Sequence, residues 1–354
     1  MKRTSLAVPA VAVLLVAGCS GEGRRTPAAP AAVASSPTPE RLTLQVAARE
    51  FHKFVNNDDV SRAGGDERLA LNWVSDGQVS LTAAEYRKAV YLGDPVPRYT
   101  YAAPTLYVPK LSDTTYPQWF VAVAERTVRP VEGEEPDKDA KDSERTSIMA
   151  FARRSPESPW RLSVGTLLAP KAKSPRIAVD PEGYAKALTV DESSLLIKPK
   201  SVAGIQAAIA EEGPESVPAD LMKPGPGTTG YFTETRQIRK QAGKESLAYD
   251  VVFPPPLYPV FPLATEDGGA LVLYALGRDA VTLAKGERDR PPIPHDAAHL
   301  LDTLILGREV RVTSMLQFAA YVPVKVKGDK VQPKADVVGI DGAVTRADAP
   351  EKVP

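Results

Sequence analysis

Across 354 residues there is one cysteine, there are three histidines, and only 6% of the side chains are aromatic. A single cysteine excludes an intrachain disulfide framework. The three histidines, His52, His295 and His299, leave imidazole chemistry one close pair and one isolated residue. No apolar run reaches the roughly 20 residues that a membrane-spanning helix requires. No Gly-rich phosphate loop follows a strand, because Gly225-Pro226-Gly227 puts proline where a backbone donor is needed and Asp267-Gly268-Gly269 reads as a hairpin turn. A Gly-x-Ser-x-Gly elbow is also missing. Basic and acidic residues balance at 44 each and no basic patch stands out, so nucleic acid is not an expected partner.

The lone cysteine is well placed. Lys2 and Arg3 give a positive start, residues 6–16 an apolar middle, and Ala17-Gly18 the small residues before a cleavage point. This arrangement resembles a bacterial lipobox. The resemblance implies that residues 1–18 are a signal peptide and that Cys19 carries diacylglycerol as the new N-terminus. The protein is then held on the extracytoplasmic face of the cell membrane by its lipid. Two or more acyl chains (palmitate-like) make a stable anchor, since each buried CH₂ contributes about 0.8 kcal/mol. Spent on lipid, Cys19 leaves no thiolate for catalysis or metal binding. No cofactor besides the lipid is expected.

Residues 19–39 are almost entirely Ala, Pro, Ser, Thr, Gly and Arg, too poor in apolar surface to offset their ordering entropy, and read as a disordered tether. The remaining length is large for one small core and favours two domains, placed at 40–170 and 176–346, with a tail at 347–354. Leu44, Ala47, Ala48, Phe51, Phe54 and Val55 recur at helical spacing up to Asn56-Asn57-Asp58-Asp59. A shorter helical stretch follows at 66–74, and 80–91 reads as a third helix or as a strand plus helix, with Thr82-Ala83-Ala84-Glu85 as a capping box. Strands are expected at 101–108, 119–128, 147–153 and 160–164, with the charged segment 132–145 as a hairpin loop. In the last strand Trp160, Leu162 and Val164 face inward and Arg161 and Ser163 outward.

The order then recurs. A helix over 201–212 precedes a Pro/Gly-rich passage, and strands return at 248–253, 270–284, 309–322 and 335–344. Trp119-Phe120-Val121 and Leu271-Val272-Leu273 are offset by about 152 residues and the two leading helices by about 155, which supports a duplication. The expected fold class is α+β: two tandem domains, each of helices followed by a curved antiparallel sheet.

Phe54-Val55-Asn56-Asn57, Asp66-Glu67-Arg68-Leu69, Tyr107-Val108-Pro109, Tyr116-Pro117-Gln118-Trp119-Phe120-Val121-Ala122, Pro159-Trp160 and Ile177-Ala178-Val179-Asp180 together resemble a family of lipoproteins from high-GC Gram-positive bacteria. The resemblance implies a compartment and a lineage and carries over no catalytic residue. In element order alone, each half is similar to the cystatin/NTF2-like cone folds, and fold does not imply function.

Three functional readings follow. The first is a non-enzymatic binding module of the cell envelope, whose partner is an envelope protein or cell-wall component. The second is a metal-dependent hydrolase: on a helix His295 and His299 would share one face, with Asp302 a turn further on as a third ligand. The shorter Asp296 standing where a His-Glu-x-x-His site has Glu counts against it. The third is a small-molecule carrier in which Trp73, Tyr86, Tyr99, Tyr101, Tyr107, Trp119 and Phe151 line a cavity, although such aromatics more often build a core. Cys19→Ala is expected to abolish palmitate labelling and release the chain into the soluble fraction. Membrane retention of that variant on cell fractionation would refute the lipid anchor.

Overall fold

The computed structural model describes residues 40–130, 144–170, 172–286, 290–301, 307–328 and 332–349. Residues 1–39 with Cys19, the segment 131–143, Asp302 and residues 350–354 lie outside them. The chain is α+β, with five α-helices and ten antiparallel strands among the described residues. No described helix is long and apolar enough to cross a membrane.

Helix α1 (Leu44–Ala63) starts where the Thr43 side chain accepts from Val46 N. It runs four residues past the expected stop at Asp59, because the polar run turns inward: Asp58 bonds Arg62 one turn on, and the Ser61 hydroxyl donates to the Asn57 and Asp58 carbonyls. Asp66 caps α2 (Glu67–Leu71). Helix α3 (Gly77–Leu92) begins after Asp76, so Thr82 lies inside it and does not cap it. The expected strand 101–108 is split into β1 (Arg98–Tyr101) and β2 (Thr105–Tyr107), and β3 (Gln118–Arg129), β4 (Glu144–Arg153) and β5 (Arg161–Leu168) follow.

In the second half, α4 (Val202–Glu212) is joined by a helix with no counterpart among the expected elements, α5 (Thr229–Lys244). Its buried positions, Thr235 and Ala242, are seven apart, a sparse signal inside a polar stretch. Then come β6 (Leu247–Val252), β7 (Phe261–Ala264), β8 (Ala270–Ala284), β9 (Glu309–Val322) and β10 (Asp336–Asp348).

The strands form one sheet in the order β1-β3-β4-β5-β10-β9-β8-β6, with β2 beside β3 and β7 beside β8. Read outward from the β5–β10 seam, the two halves repeat the same order. Segments 40–170 and 176–346, expected as two domains, are thus edge-to-edge parts of one sheet, and all described residues belong to one compact unit. The physical reason is visible in β3, where both alternating sets are apolar. Phe120, Ala122 and Ala124 pack under α1 with Phe51, Phe54, Met149 and Phe151, while Trp119 and Val121 face the other way. A strand apolar on both sides must be covered on both sides. Correspondingly, Val272, Tyr274 and Leu276 of β8 pack under α4, and Leu271 and Leu273 turn to the far face. The two far faces meet in one shared core, where the Trp119 and Phe261 rings lie 5.5 Å apart. Ile177 and Ala185 of the connecting segment are buried in it as well.

Two facing assignments fail in β5. A register shift opposite Ala150/Phe151 sends Leu162 to the α1 side but Val164 to the shared core, and leaves Ser163 buried with its hydroxyl donating to Asp76.

The seam itself is short. Only Gly339↔Leu168 and Ile340↔Leu167 pair β10 with β5, next to a register shift between Val337 and Gly339. A Cβ at Gly339 would come within 3.2 Å of Ala319 Cβ and Thr166 Oγ1, so the approach depends on glycine. Beyond Ile340 the strands part, and the fully buried Gln317 of β9 fills the gap: its Oε1 accepts from Gly165 N at 2.6 Å. Helix α3 lies over this opening, packed on β5, β9 and β10. Gln317→Leu leaves the Gly165 N–H without its partner and is expected to cost about 1–3 kcal/mol. Urea denaturation of the variant at neutral pH measures this, and an unchanged midpoint would show that the seam does not depend on the amide.

Candidate functional site

Where β5 and β10 part beneath α1 and α3, a cavity of about 450 Å³ opens. Its apolar wall is Phe54, Val74, Leu81, Ala84, Met149 and Leu162. Its polar wall holds Asp58, Arg62, Glu85, Tyr99, Arg126 and Asp341, with Lys88, Asp296 and His299 among the other lining residues.

The helical repeat builds the centre. Asp58 and Arg62 are four apart on α1 and face inward together. Arg62 Nε donates to Asp58 Oδ2 at 2.8 Å, and Nη1 reaches Glu85 Oε2 of α3 and the Pro97 carbonyl, each at 2.9 Å. The hydroxyl of Tyr99 donates to Glu85 Oε1 at 3.0 Å. Burial works against the charge of Arg62, but Glu85 and Asp58 outweigh it and hold the guanidinium protonated. For Asp58 burial wins over Arg62, and its carboxyl is pushed above the usual range. Burial likewise pushes the Tyr99 hydroxyl up, and that of Tyr101 up to about 12.

Arg126 stands apart from this network. It follows Phe120, Ala122 and Ala124 on the helix-facing side of β3, and its guanidinium carbon sits 4.3 Å from the Tyr99 ring centroid, with that of Arg62 at 4.8 Å from the same ring. Such contacts contribute about 0.5–2 kcal/mol each, depending on desolvation. Among the described residues the Arg126 guanidinium donates no hydrogen bond and makes no ion pair within 4.0 Å. Its cross-strand neighbour is another cation, Arg145, which donates to the Leu168 carbonyl. Asp341 faces both arginines from β10. Burial nonetheless holds its carboxyl above the usual value.

The expected site residues are scattered. Tyr101 lines the cavity, as does Tyr99. Trp119 lies on the opposite face of the sheet, because the pleat turns alternate residues away from the helices. Tyr86 is in a small core with Ala70, Ala89 and Val96, and half-buried Trp73 packs on the α1 core under Lys53. The helix expected to put His295 and His299 on one face is a turn followed by a three-residue 3-10 segment, Ala298–Leu300. His295 is exposed, whereas His299 lines the cavity and touches Tyr91. Burial and the nearby Lys88 lower the His299 pKa, with Asp296 opposing them. Among the described residues no three His, Cys, Asp or Glu side chains are grouped to hold a metal, and Asp302 lies outside them. The Asp58–Arg62 pair was open to sequence reading as an i, i+4 pair in a polar run. Arg126 and Asp341 carried no such local signal.

The family model described as a domain of unknown function, DUF8094, matches residues 39–349. The chain belongs to the DUF8094 family. A relative from Streptomyces avermitilis, described as an uncharacterized lipoprotein, is 29% identical over 189 residues, covering 49% of this chain and 49% of the relative. The DUF8094 chain thus spans about half the length of the curated relative it matches. No solved structure matches it.

The raised Asp58 pKa sets a pH dependence. The folded state holds this proton more tightly than the unfolded chain, whose reference value is 3.8. The stabilisation is full below that value and is lost as pH rises through the folded-state pKa. The stability of the natural chain relative to Asp58→Asn is therefore expected to fall as pH rises above the unfolded value of 3.8 in urea denaturation. A difference that grows with pH would mean that Arg62 outweighs burial.

Proposed function

We propose that this protein is a lipid-anchored lipoprotein of the extracytoplasmic membrane face, and that its cavity binds a small molecule without turning it over. One observation carries the binding reading: a cavity of about 450 Å³ with an apolar wall facing a buried, charged wall. That volume falls within the range of small-molecule sites. The anchor rests on the sequence around Cys19, and a relative described as a lipoprotein supports it. Binding is favoured over catalysis because the carboxyl groups at the centre of the polar wall are committed to other side chains of the chain. Asp58 and Glu85 both hold Arg62, and Glu85 accepts a hydrogen bond from the Tyr99 hydroxyl. The reading merges the envelope-module and carrier hypotheses. The metal-hydrolase reading gains no support, since His299 lines the cavity and exposed His295 does not.

Native mass spectrometry of the chain recovered from its own membrane, released from detergent in the gas phase, is expected to show an additional mass of a few hundred daltons beyond the lipidated protein. Leu81→Trp, which fills the apolar wall, should remove that mass while the protein stays folded. An extra mass that persists in the variant would place the ligand elsewhere.

A further inference from the structure

The duplication supplies an internal comparison for the cavity. Aligning Trp119-Phe120-Val121 with Leu271-Val272-Leu273 places Arg126 of β3 on Arg278 of β8, at the same offset of 152 residues. The structure agrees with this alignment. Arg126 follows Phe120, Ala122 and Ala124 on the α1 side, and Arg278 follows Val272, Tyr274 and Leu276 on the α4 side. Each therefore projects from the third strand of its half toward the helices.

Their surroundings differ in one respect. Arg278 is filled in by its own chain: Nη2 donates to Glu234 Oε1 of α5 at 2.9 Å, and the guanidinium carbon lies 5.7 Å from the Tyr231 ring and 6.0 Å from the Phe253 ring. A carboxylate and aromatic rings thus occupy the second-half site. In the first half the corresponding last helix, α3, leans over the seam onto β9 and β10, whereas α5 stays on β6. Among the described residues nothing takes the place of Glu234, and Arg126 keeps Tyr99 but has no carboxylate within ion-pair distance. The space is the cavity, and its far wall is apolar.

From this comparison we infer that the cavity takes a small organic carboxylate bearing an aromatic or aliphatic ring, its carboxylate on Arg126 and its ring against Phe54, Leu81, Met149 and Leu162. This rests on the binding reading above and specifies its ligand class. The other lining charges are compatible with it. Asp58 and Glu85 are consumed by Arg62, and Asp296 is exposed. Lys88 is exposed like Asp296, so these two offset each other, and Arg126 with its cross-strand neighbour Arg145 faces Asp341. A planar guanidinium matches a carboxylate with two parallel hydrogen bonds, which sets it apart from a lysine point charge.

The test uses the full chain carrying Cys19→Ala, free of lipid, and three probes of one shape titrated by calorimetry at pH 7: 2-naphthoate, 2-naphthylmethanol and 2-naphthylmethylammonium. Naphthoate is expected to bind at least tenfold more tightly than the other two. Arg126→Met should abolish that preference without changing the affinity for the alcohol, and Arg126→Lys should retain part of it. Preference for the ammonium or the alcohol, or naphthoate binding unchanged in Arg126→Met, overturns the carboxylate assignment and leaves the cavity as a binding site. Binding of none of the three, together with no extra mass on the membrane-derived protein, overturns both readings. Should Arg126→Met fail to fold, judged by its thermal transition, the probe preference of the unsubstituted site and of Arg126→Lys decides.

Discussion

Everything distinctive about this molecule depends on a seam that is paired at two positions and then splits. Two half-sheets with apolar surfaces on both faces are joined through β5 and β10 by Gly339↔Leu168 and Ile340↔Leu167. Longer pairing would have continued the sheet and left no room beneath α3. No pairing would have left the far faces of β3 and β8 uncovered. The compromise is held by a buried side-chain amide: Gln317 supplies the acceptor that Gly165 would otherwise have taken from a neighbouring strand. Backbone donors in a dry interior need partners, and where a ladder ends one must come from elsewhere.

The cavity is a consequence of that split, and its charge is a consequence of its burial. Arg62 can be buried because two carboxylates and a backbone carbonyl meet it. Removing one partner of such a set costs more than the set contributes, so it is a specification of geometry more than a source of stability. Arg126 is the exception: a cation stacked on Tyr99 that faces open space. Its counterpart Arg278 is tied to Glu234, which shows how the same strand position behaves when the chain closes it.

Much of the fold could be read in advance. Helices α1 and α4 and strands β3, β8 and β9 stand close to where periodicity places them, because their signals are local and their apolar positions dense. The equal spacing of the halves also announced the repeat. Helix α5 escaped because its buried contacts are few and its remaining face is polar. The ends of α1 and β5 escaped because Asp58, Ser61 and Ser163, which look like surface residues in sequence, are buried and hydrogen-bonded, the first two within α1 and Ser163 to distant Asp76. The His295–His299 spacing suggested a shared helical face, but the proline-rich approach leads into a turn, and the spacing loses its meaning there.

By itself the sequence determined the α+β class, the duplicated order of elements and the expectation of a lipid on Cys19, since each rests on composition or on short-range pattern. It also held the evidence that β3 is covered on both faces. Only the tertiary structure decided that the halves share one sheet and one core, that Tyr99 and Tyr101 face a cavity while Trp119 faces away, and that Arg126 pairs with no carboxylate among the described residues. Those facts depend on which distant segments end up against each other, and a seam of two residue pairs leaves no periodic trace in the chain.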